Sequence, residues 1–417
     1  MTRLTDIQMN RNYISNYNFI RSDLFDIQTK IASQQNVSKP SDNPSEIGSI
    51  MDLNELINSN VSYQKNIDNK FAQINESIAA LETVHEHSLN IMSKLGHWKN
   101  TIVAANENET TRKAIELTLD AMLEMANTKF DGQYLFGGTD FSTPPVGFDP
   151  TDGVFSILSQ DVSGEQYTRI AGNIKAHVNV SAMRVFMPVV KQSGNINSGE
   201  PVGFAYNKVE TQYDGNGNEY QFDYTWTKTG ANTFEMTYDV FDDAGASVLN
   251  GSHEIVFDPD TAEIASVDGG KPQPLNIRDA ALKLDFFYDF ASVRQTSGVT
   301  QLAEFVNQRG NPLTVLQTIK DNLAADIRPN NNQLQIIDDF PQVIVDQTTE
   351  AGELYNRLDA GEKILDRQDL VLQELRSKKQ DVDMATAIMD LQSREYHLNA
   401  MYKLSSKLLP QSILDFM

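Results

Sequence analysis

The sequence predicts an α+β fold: a long antiparallel helical bundle or coiled coil drawn from both chain termini, with a central all-β outer region of one or two sandwich-like or barrel-like domains. Three observations predict it. Both ends carry apolar residues at helical spacing over long stretches, the middle alternates with a period of two between turn signals, and the ends differ from the middle in charge.

The charge partition is sharp. Residues 1–45 hold five basic and four acidic side chains and residues 361–417 hold eight and nine, so the whole net charge of −23 falls on residues 46–360. Near-neutral ends can pack against copies of themselves, whereas a strongly acidic middle suits a solvated surface. The same excess argues against nucleic acid and anionic membrane as partners. Cysteine is absent from all 417 residues, which excludes disulfides, thiolate metal sites and cysteine nucleophiles and fits either a chain that crosses an export channel unfolded or one that must survive outside the cell. No run of about 18 apolar residues predicts a membrane span. The opening Met1–Asp6 lacks the apolar stretch of a cleaved secretory signal.

In chain order, residues 3–35 read as a helix, with Ile7, Ile14, Tyr17, Leu24 and Ile31 spaced by sevens and threes. Pro40 and Pro44 then hold the chain extended, and Ser41, Asp42 and Asn43 offer caps for the next helix. That second helix is expected from Ser45 to about Ala105, along a three-four stripe running from Ile50 to Ile102, with Gly96 as a weak point. It would span roughly 80–90 Å. The polar run Asn106–Thr110 reads as a break, residues 111–128 as a third helix, and Asp131-Gly132 as a turn into a short strand.

From about residue 145 strands are expected at Tyr167–Ile170, Ala176–Val180, Val185–Met187, Glu219–Trp226, Thr233–Val240 and Glu254–Phe257, with Leu282–Phe286 as the last. Asp214-Gly215, Thr229-Gly230, Ala244-Gly245, Asn250-Gly251 and Asp258-Pro259 read as turns, and the Gly/Ser/Asn-rich segment 191–201 as a boundary between two β units. Helix returns at Asn311-Pro312. From Leu354 to Leu409 it is nearly unbroken, with Leu358, Leu365 and Leu372 at sevens; after Asp383 the register slips to Met384, Ile388, Leu391, Leu398, Tyr402 and Leu409. A stripe this narrow needs a partner helix, and the two ends are expected to supply each other. Spacing alone fits an ordinary helical bundle equally well.

The division expected is an assembly helix at 1–44, a helical core at 45–140 completed by 300–383, a small β domain at 141–198, an inserted β domain at 199–299 and a second assembly helix at 384–417. The expected assembly interface is Ile7, Ile14, Tyr17, Leu24, Ile31, Pro40, Ser41, Asp42, Pro44, Met384, Ile388, Leu391, Leu398, Tyr402 and Leu409.

Nothing marks an enzyme. His85 and His87, two apart on a helix, face different directions and cannot share a metal. The Asp214–Glu219 run lacks the glycine and glutamate of a calcium loop and reads as a hairpin turn. No nucleotide loop or nucleophile elbow appears. Tyr224, Trp226, Phe234 and Tyr238 read as core aromatics.

Three motifs carry a resemblance. They are Val37–Pro44, the stretch from Ala126-Asn127-Thr128 through Gly132–Thr139, and the run from Asp381–Ala385 through Asp390–Gln392, Ala400 and Tyr402 to Ser412–Phe416. Together they resemble the hook-associated protein 3 family, hook–filament junction proteins of the flagellin-like superfamily, over about 1–190 and 311–417. Residues 200–298, with Tyr213–Asn218 before aromatic strands, are similar to the β domain of flagellar hook proteins. The resemblance implies a structural protein of the bacterial flagellum, extracellular and exported unfolded by the type III apparatus. Its copies, about eleven, would form a ring between hook-associated protein 1 and flagellin, after escort by a cytoplasmic chaperone. It implies no cofactor. A filament flagellin is the alternative within the same class, although flagellins usually lack the prolines of the first motif; a junction protein whose β region is a surface adhesin is the alternative outside it.

Overall fold

The computed structural model describes residues 2–99 and 105–408. In chain order its elements are α1 (Thr2–Ser33), α2 (Pro44–Gly96, followed by a 3₁₀ turn His97–Lys99), α3 (Ala105–Ala126), β1 (Lys129–Phe130), β2 (Gln133–Tyr134), β3 (Val146–Asp149), β4 (Val154–Ile157), β5 (Tyr167–Ala171), β6 (Ile174–His177) and α4 (Ala182–Phe186). There follow β7 (Val189–Asn197), β8 (Ala205–Tyr213), β9 (Glu219–Lys228), β10 (Thr233–Phe241), β11 (Ser247–Phe257), β12 (Ile264–Val267), β13 (Leu275–Asp279), β14 (Leu284–Thr296), β15 (Gln301–Val306), α5 (Pro312–Ala324), α6 (Asn331–Gln380) and α7 (Met384–Leu408). The class is α+β as expected, with helices at both ends and a β region between. Residues 1–65 with 361–417 make one unit, and residues 66–360 make the other.

The first unit holds α1, the opening of α2, the close of α6, and α7. Asn43 starts α2: its Oδ1 accepts from the amides of Ser45 and Glu46, and Pro44 stands where the missing N–H costs nothing. The expected continuous C-terminal helix is in fact two. Residues 381–383 break it, and Asp383 caps α7 by accepting from the amides of Ala385 and Thr386 and from the Thr386 hydroxyl. The slip in apolar register after Asp383 therefore marks a break and not a continuous stutter.

The second unit has two cores. In the helical one, α3 packs on α5, and Leu81, Val84, Ile91 and Leu95 of α2 join Leu334, Ile337, Phe340 and Ile344 of α6. The start of α5 is locked to the small hairpin β3–β4. Asn311 caps α5 and donates to the Phe155 carbonyl at 2.8 Å, while the Phe155 amide donates to Thr314 Oγ1 at 3.0 Å. The helix expected to reach Ala105 stops at Gly96, a residue that weakens helices; Ile102 lies outside the described residues. The polar run 106–110 is helical, not a break. It forms the first turns of α3, where Glu109 pairs with Arg112 and Lys113 one turn on.

The other core lies between two sheets. One is an antiparallel meander in the order β12-β11-β10-β9-β8; the other, β13-β14-β7-β15, has β14 parallel to β7. That parallel pair departs from the antiparallel pairing found through the rest of both sheets. Alternation along β9 turns Tyr220, Phe222, Tyr224 and Trp226 inward against Phe286, Tyr288 and Phe290 of β14. Rings meet edge to face, Phe222 with Phe286 at 5.1 Å and Trp226 with Phe290 at 5.7 Å. Trp226 Nε1 donates to the Tyr288 hydroxyl at 2.8 Å, which donates to Gln192, so these three groups are satisfied in series, whereas the buried Tyr224 hydroxyl has no hydrogen-bond partner.

Four further local readings are corrected. Val185–Met187 is not a strand: Ser181 Oγ accepts from the Met183 amide and starts the one-turn α4, whose Ala182, Met183, Val185 and Phe186 are all buried. The glycine-rich segment 191–201 is mostly strand β7. Gly194, at φ 113°, would place a Cβ 2.3 Å from the Gln301 carbonyl, so glycine is what lets β15 approach. Asn250-Gly251 lies within β11 rather than in a turn, and a Cβ on Gly251 would sit 2.6 Å from the ring of Tyr238, its cross-strand partner. Nor is Leu282–Phe286 the last strand; β14 runs on to Thr296 and β15 follows.

One buried group should govern the pH dependence of this unit. Asp285 is 2% exposed, neither carboxylate oxygen has a hydrogen-bond partner, and Arg278 on the paired strand is 4.0 Å away. Burial pushes its pKa up from 3.8 to about 7, against the weaker opposing pull of Arg278. Below about pH 4 the group is neutral whether folded or unfolded. As pH rises to about 7 the unfolded chain ionises first, so the folded state holds an extra proton and stability falls, by about 4 kcal/mol in total. Asp285→Asn should therefore gain stability relative to the native protein as pH rises from about 4 to about 7 and keep a constant advantage above that. Denaturant melts across that range check this; a difference that does not change with pH would refute it.

Candidate assembly surface

The two ends of the chain meet within the first unit as an antiparallel pair, α1 against α7. The Tyr13 hydroxyl donates to the Met401 carbonyl at 2.9 Å, the Tyr17 and Tyr402 hydroxyls lie 3.2 Å apart with their rings edge to face, and Arg394 reaches Asp23 at 3.2 Å. Beyond the last turn of α1 the chain is tied to the end of α6. Gln34 sits at φ 59°, the Asn36 amide donates to the Gln380 carbonyl at 2.7 Å, and the Val382 amide donates to the Gln34 carbonyl at 3.1 Å. Val37 is buried at this level, and a β-bridge joins Gln35 to Asp381.

The stripe that α1 turns inward is Tyr13, Tyr17, Ile20, Leu24, Ile27 and Ile31, all half-buried and spaced four, three, four, three, four. That of α7 is Ala387, Leu391, Arg394, Leu398, Met401 and Ser405. Tyr17, Leu24, Ile31, Leu391 and Leu398 stand on these stripes. Ile14, Met384, Ile388 and Tyr402 are exposed, although the Tyr402 ring still meets Tyr17. The side chain of Ile7, and all of Leu409 and Ser412–Phe416, lie outside the described residues. Tyr13, Ile20, Ile27, Ala387 and Met401 were absent from the sequence reading. Stepping by four and three in both directions from Tyr17 finds the first three, whereas stepping by seven from Ile7 leads through Ile14 onto a neighbouring face.

Pro40, Ser41, Asp42 and Pro44 form an exposed loop given its shape by Asp42. Its Oδ2 accepts from the Ser38 and Lys39 amides at 3.0 and 2.9 Å and from the Ser38 hydroxyl. Those backbone donors hold the Asp42 pKa below the usual carboxylate value. Hydrogen bonds from Thr386 do the same for Asp383.

The pair does not cover itself. Ile14, Phe19 and Phe25 of α1 and Met389, Tyr396 and Leu404 of α7 are all exposed. Residues 1–65 and 361–417 together carry 14 basic against 16 acidic side chains, leaving 20 against 41 on the rest of the chain. Apolar surface is thus exposed where charge is nearly balanced. Among the described residues no helix is long and apolar enough to cross a membrane, and no three His, Asp or Glu side chains converge as a metal site.

Searches of protein families and of curated proteins return no match. Among solved structures, the chain is similar to FlgL from Xanthomonas campestris, with 14% identity over 78% of this chain and 99% of that one and a TM-score of 0.45. It is similar to a flagellar hook-associated protein from Vibrio parahaemolyticus, with 12% identity over 82% and 100% and a TM-score of 0.47. It is also similar to the flagellar junction protein FlgL from Legionella pneumophila, with 14% identity over 81% and 100% and a TM-score of 0.44.

Placement on the stripe makes a testable distinction. Leu24→Asp or Leu391→Asp should loosen the α1–α7 pair by about 1–3 kcal/mol, seen as faster amide exchange along both helices with the β sandwich unchanged. Ile388→Asp, on the exposed side, should leave exchange as it is. Equal effects at 388 and 391 would contradict the assignment of faces.

Proposed function

We propose that this chain is a structural subunit of the bacterial flagellum, placed at the junction between hook and filament. The observation that carries the reading is the antiparallel union of the two chain ends, which leaves large apolar side chains exposed on a nearly neutral unit. The motifs Val37–Pro44, Ala126–Thr139 and Asp381–Phe416 support it, since together they resemble hook-associated protein 3.

The physical logic is assembly by burial. Each exposed side chain covered by a neighbouring copy is worth about 25 cal/mol per Å² of apolar surface, set against the cost of ordering. In this single chain residues 2–33 and 384–408 are already helical and paired, because each stripe finds the other. On this reading assembly buries a surface that is already built. Copies joined through heterologous contacts close into a ring of about eleven subunits, with hook-associated protein 1 below and flagellin above. The 20 to 41 imbalance of charge in residues 66–360 keeps the β region solvated and outermost. Absence of cysteine suits unfolded passage through the type III export apparatus, with a cytoplasmic chaperone covering the terminal helices beforehand. The chain works as an extracellular part and not as an enzyme.

Deletion of the gene should leave cells with hooks but without filaments, releasing flagellin into the medium. Normal filaments on such cells would end the proposal. Complementation ranks the parts: Leu391→Asp should cut filament assembly severely, while Trp226→Ala, confined to the β core, should cut it less. The opposite ranking would place assembly in the β region.

A further inference from the structure

The small hairpin β5–β6 carries positive charge in a unit that is mostly negative. Alternation along its strands buries Thr168, Ile170 and Ala176 and leaves Tyr167, Arg169 and Lys175 exposed on the outer side. Arg169 and Lys175 stand directly opposite each other across the hairpin. Among the described residues neither meets a carboxylate. Glu165, just before the hairpin, accepts from the Tyr167 hydroxyl instead. Like charges set directly opposite in a sheet destabilise it. Residues 66–360 hold 41 acidic side chains against 20 basic ones, so this pair goes uncompensated where carboxylates are plentiful.

The outer side of the five-stranded sheet carries the opposite arrangement. Glu235 of β10 stands directly opposite Glu254 of β11, and Asp239 directly opposite Asp223 of β9. No cation meets any of the four among the described residues; their partners are neutral, such as the Ser252 hydroxyl on Glu235 at 2.8 Å. The basic residues of these strands, Lys208, Lys228 and His253, alternate to the other side. Glu235 and Glu254 are the exposed pair.

The two surfaces match in spacing as well as in sign. Residues paired across antiparallel strands hold their Cβ atoms about 4.5–5.5 Å apart, so each cation of the hairpin can stand over one carboxylate of the sheet. Two residues along, about 7 Å, the hairpin presents Tyr167 opposite His177 and the sheet presents Thr237 opposite Ser252. Ring edges there meet hydroxyls, with no further charge to bury. Within one chain both surfaces stay unpaired, which puts each one's complement on another copy.

We propose that the outer face of β5–β6 in one copy docks on the outer face of the β9–β11 sheet in the next, with Arg169 and Lys175 over Glu235 and Glu254. The inference rests on reading the chain as a self-assembling subunit and adds a contact outside the terminal helices. A hairpin on one side and a sheet on the other make it heterologous, the kind of contact that closes rings. Exposed ion pairs are individually weak, so the contact sets the register of copies held together elsewhere as well.

The test uses full-length protein at high concentration in about 0.1 M salt, where repulsion between the acidic units is screened beyond about 10 Å and touching charges still attract. Isotopically heavy and light copies are mixed and treated with a carbodiimide, which joins an amine to a carboxylate in direct contact. Lys175 should be joined to Glu235 or Glu254 of a different copy. Arg169→Glu with Lys175→Glu should weaken association at least about tenfold, because like charges then face each other. Glu235→Lys with Glu254→Lys should do the same, and the four substitutions together should recover it. Melting curves should stay unchanged throughout, since all four side chains are exposed. Association indifferent to these reversals, or Lys175 adducts lying off the outer face of the sheet, would overturn this contact alone. A native protein that stays monomeric would overturn the assembly reading and the contact with it.

Discussion

A helix whose apolar side chains form a single narrow stripe cannot bury them against itself, and at both ends of this chain the stripe runs along most of the helix. The two stripes find each other across nearly 400 residues of intervening sequence: Tyr13 reaches Met401, Tyr17 meets Tyr402, and Asp23 meets Arg394. Closing so long a loop costs entropy that grows only slowly with its length. Several half-buried side chains, three tyrosine hydroxyls and one ion pair hold the ends together. That closure defines the first unit and leaves the β region to occupy the chain between.

The β region is built on a different balance. Its large rings are buried outright, and the hydroxyl and indole groups they bring are linked from Trp226 through Tyr288 and Gln192 to Glu304, where Tyr206 and Lys208 complete the set. Glu304 joins β15 to β8, the edge strands of the two sheets, by side chains rather than by a backbone ladder. Such a linked network ties the two sheets together, while the Tyr224 hydroxyl and the Asp285 carboxylate stay buried without partners. The terminal pair, half-exposed along its length, keeps its contacts at the surface. Burial is therefore deep in the β region and shallow along the terminal pair.

What the sequence made legible follows from which signals are local. Asp131-Gly132 turns as read because both residues take positive φ, at 49° and 77°, a preference carried by the residues themselves. Asn43, one of three residues read as caps, starts α2 for the same reason. Segments whose state is set by distant neighbours were misread. Gly194 belongs to a strand because β14 and β15 flank it, and Gly251 because the Tyr238 ring lies across it. On the candidate surface the helices were plain, but which side faces inward was only half legible. Sevens and three-fours diverge over a few turns, and the exposed Ile14 is as apolar as the half-buried Ile20.

The level at which α1 ends and α7 begins has a mechanical meaning. Residues 34–43 and 381–383 leave helical geometry side by side, stapled by the Asn36, Val382 and Gln35 backbone contacts. Both rods are therefore interrupted at one height, and rotation there breaks no hydrogen bond inside a helix. Bending at this level would strain the backbone contacts that staple it and leave the hydrogen bonds within α1, α2, α6 and α7 whole.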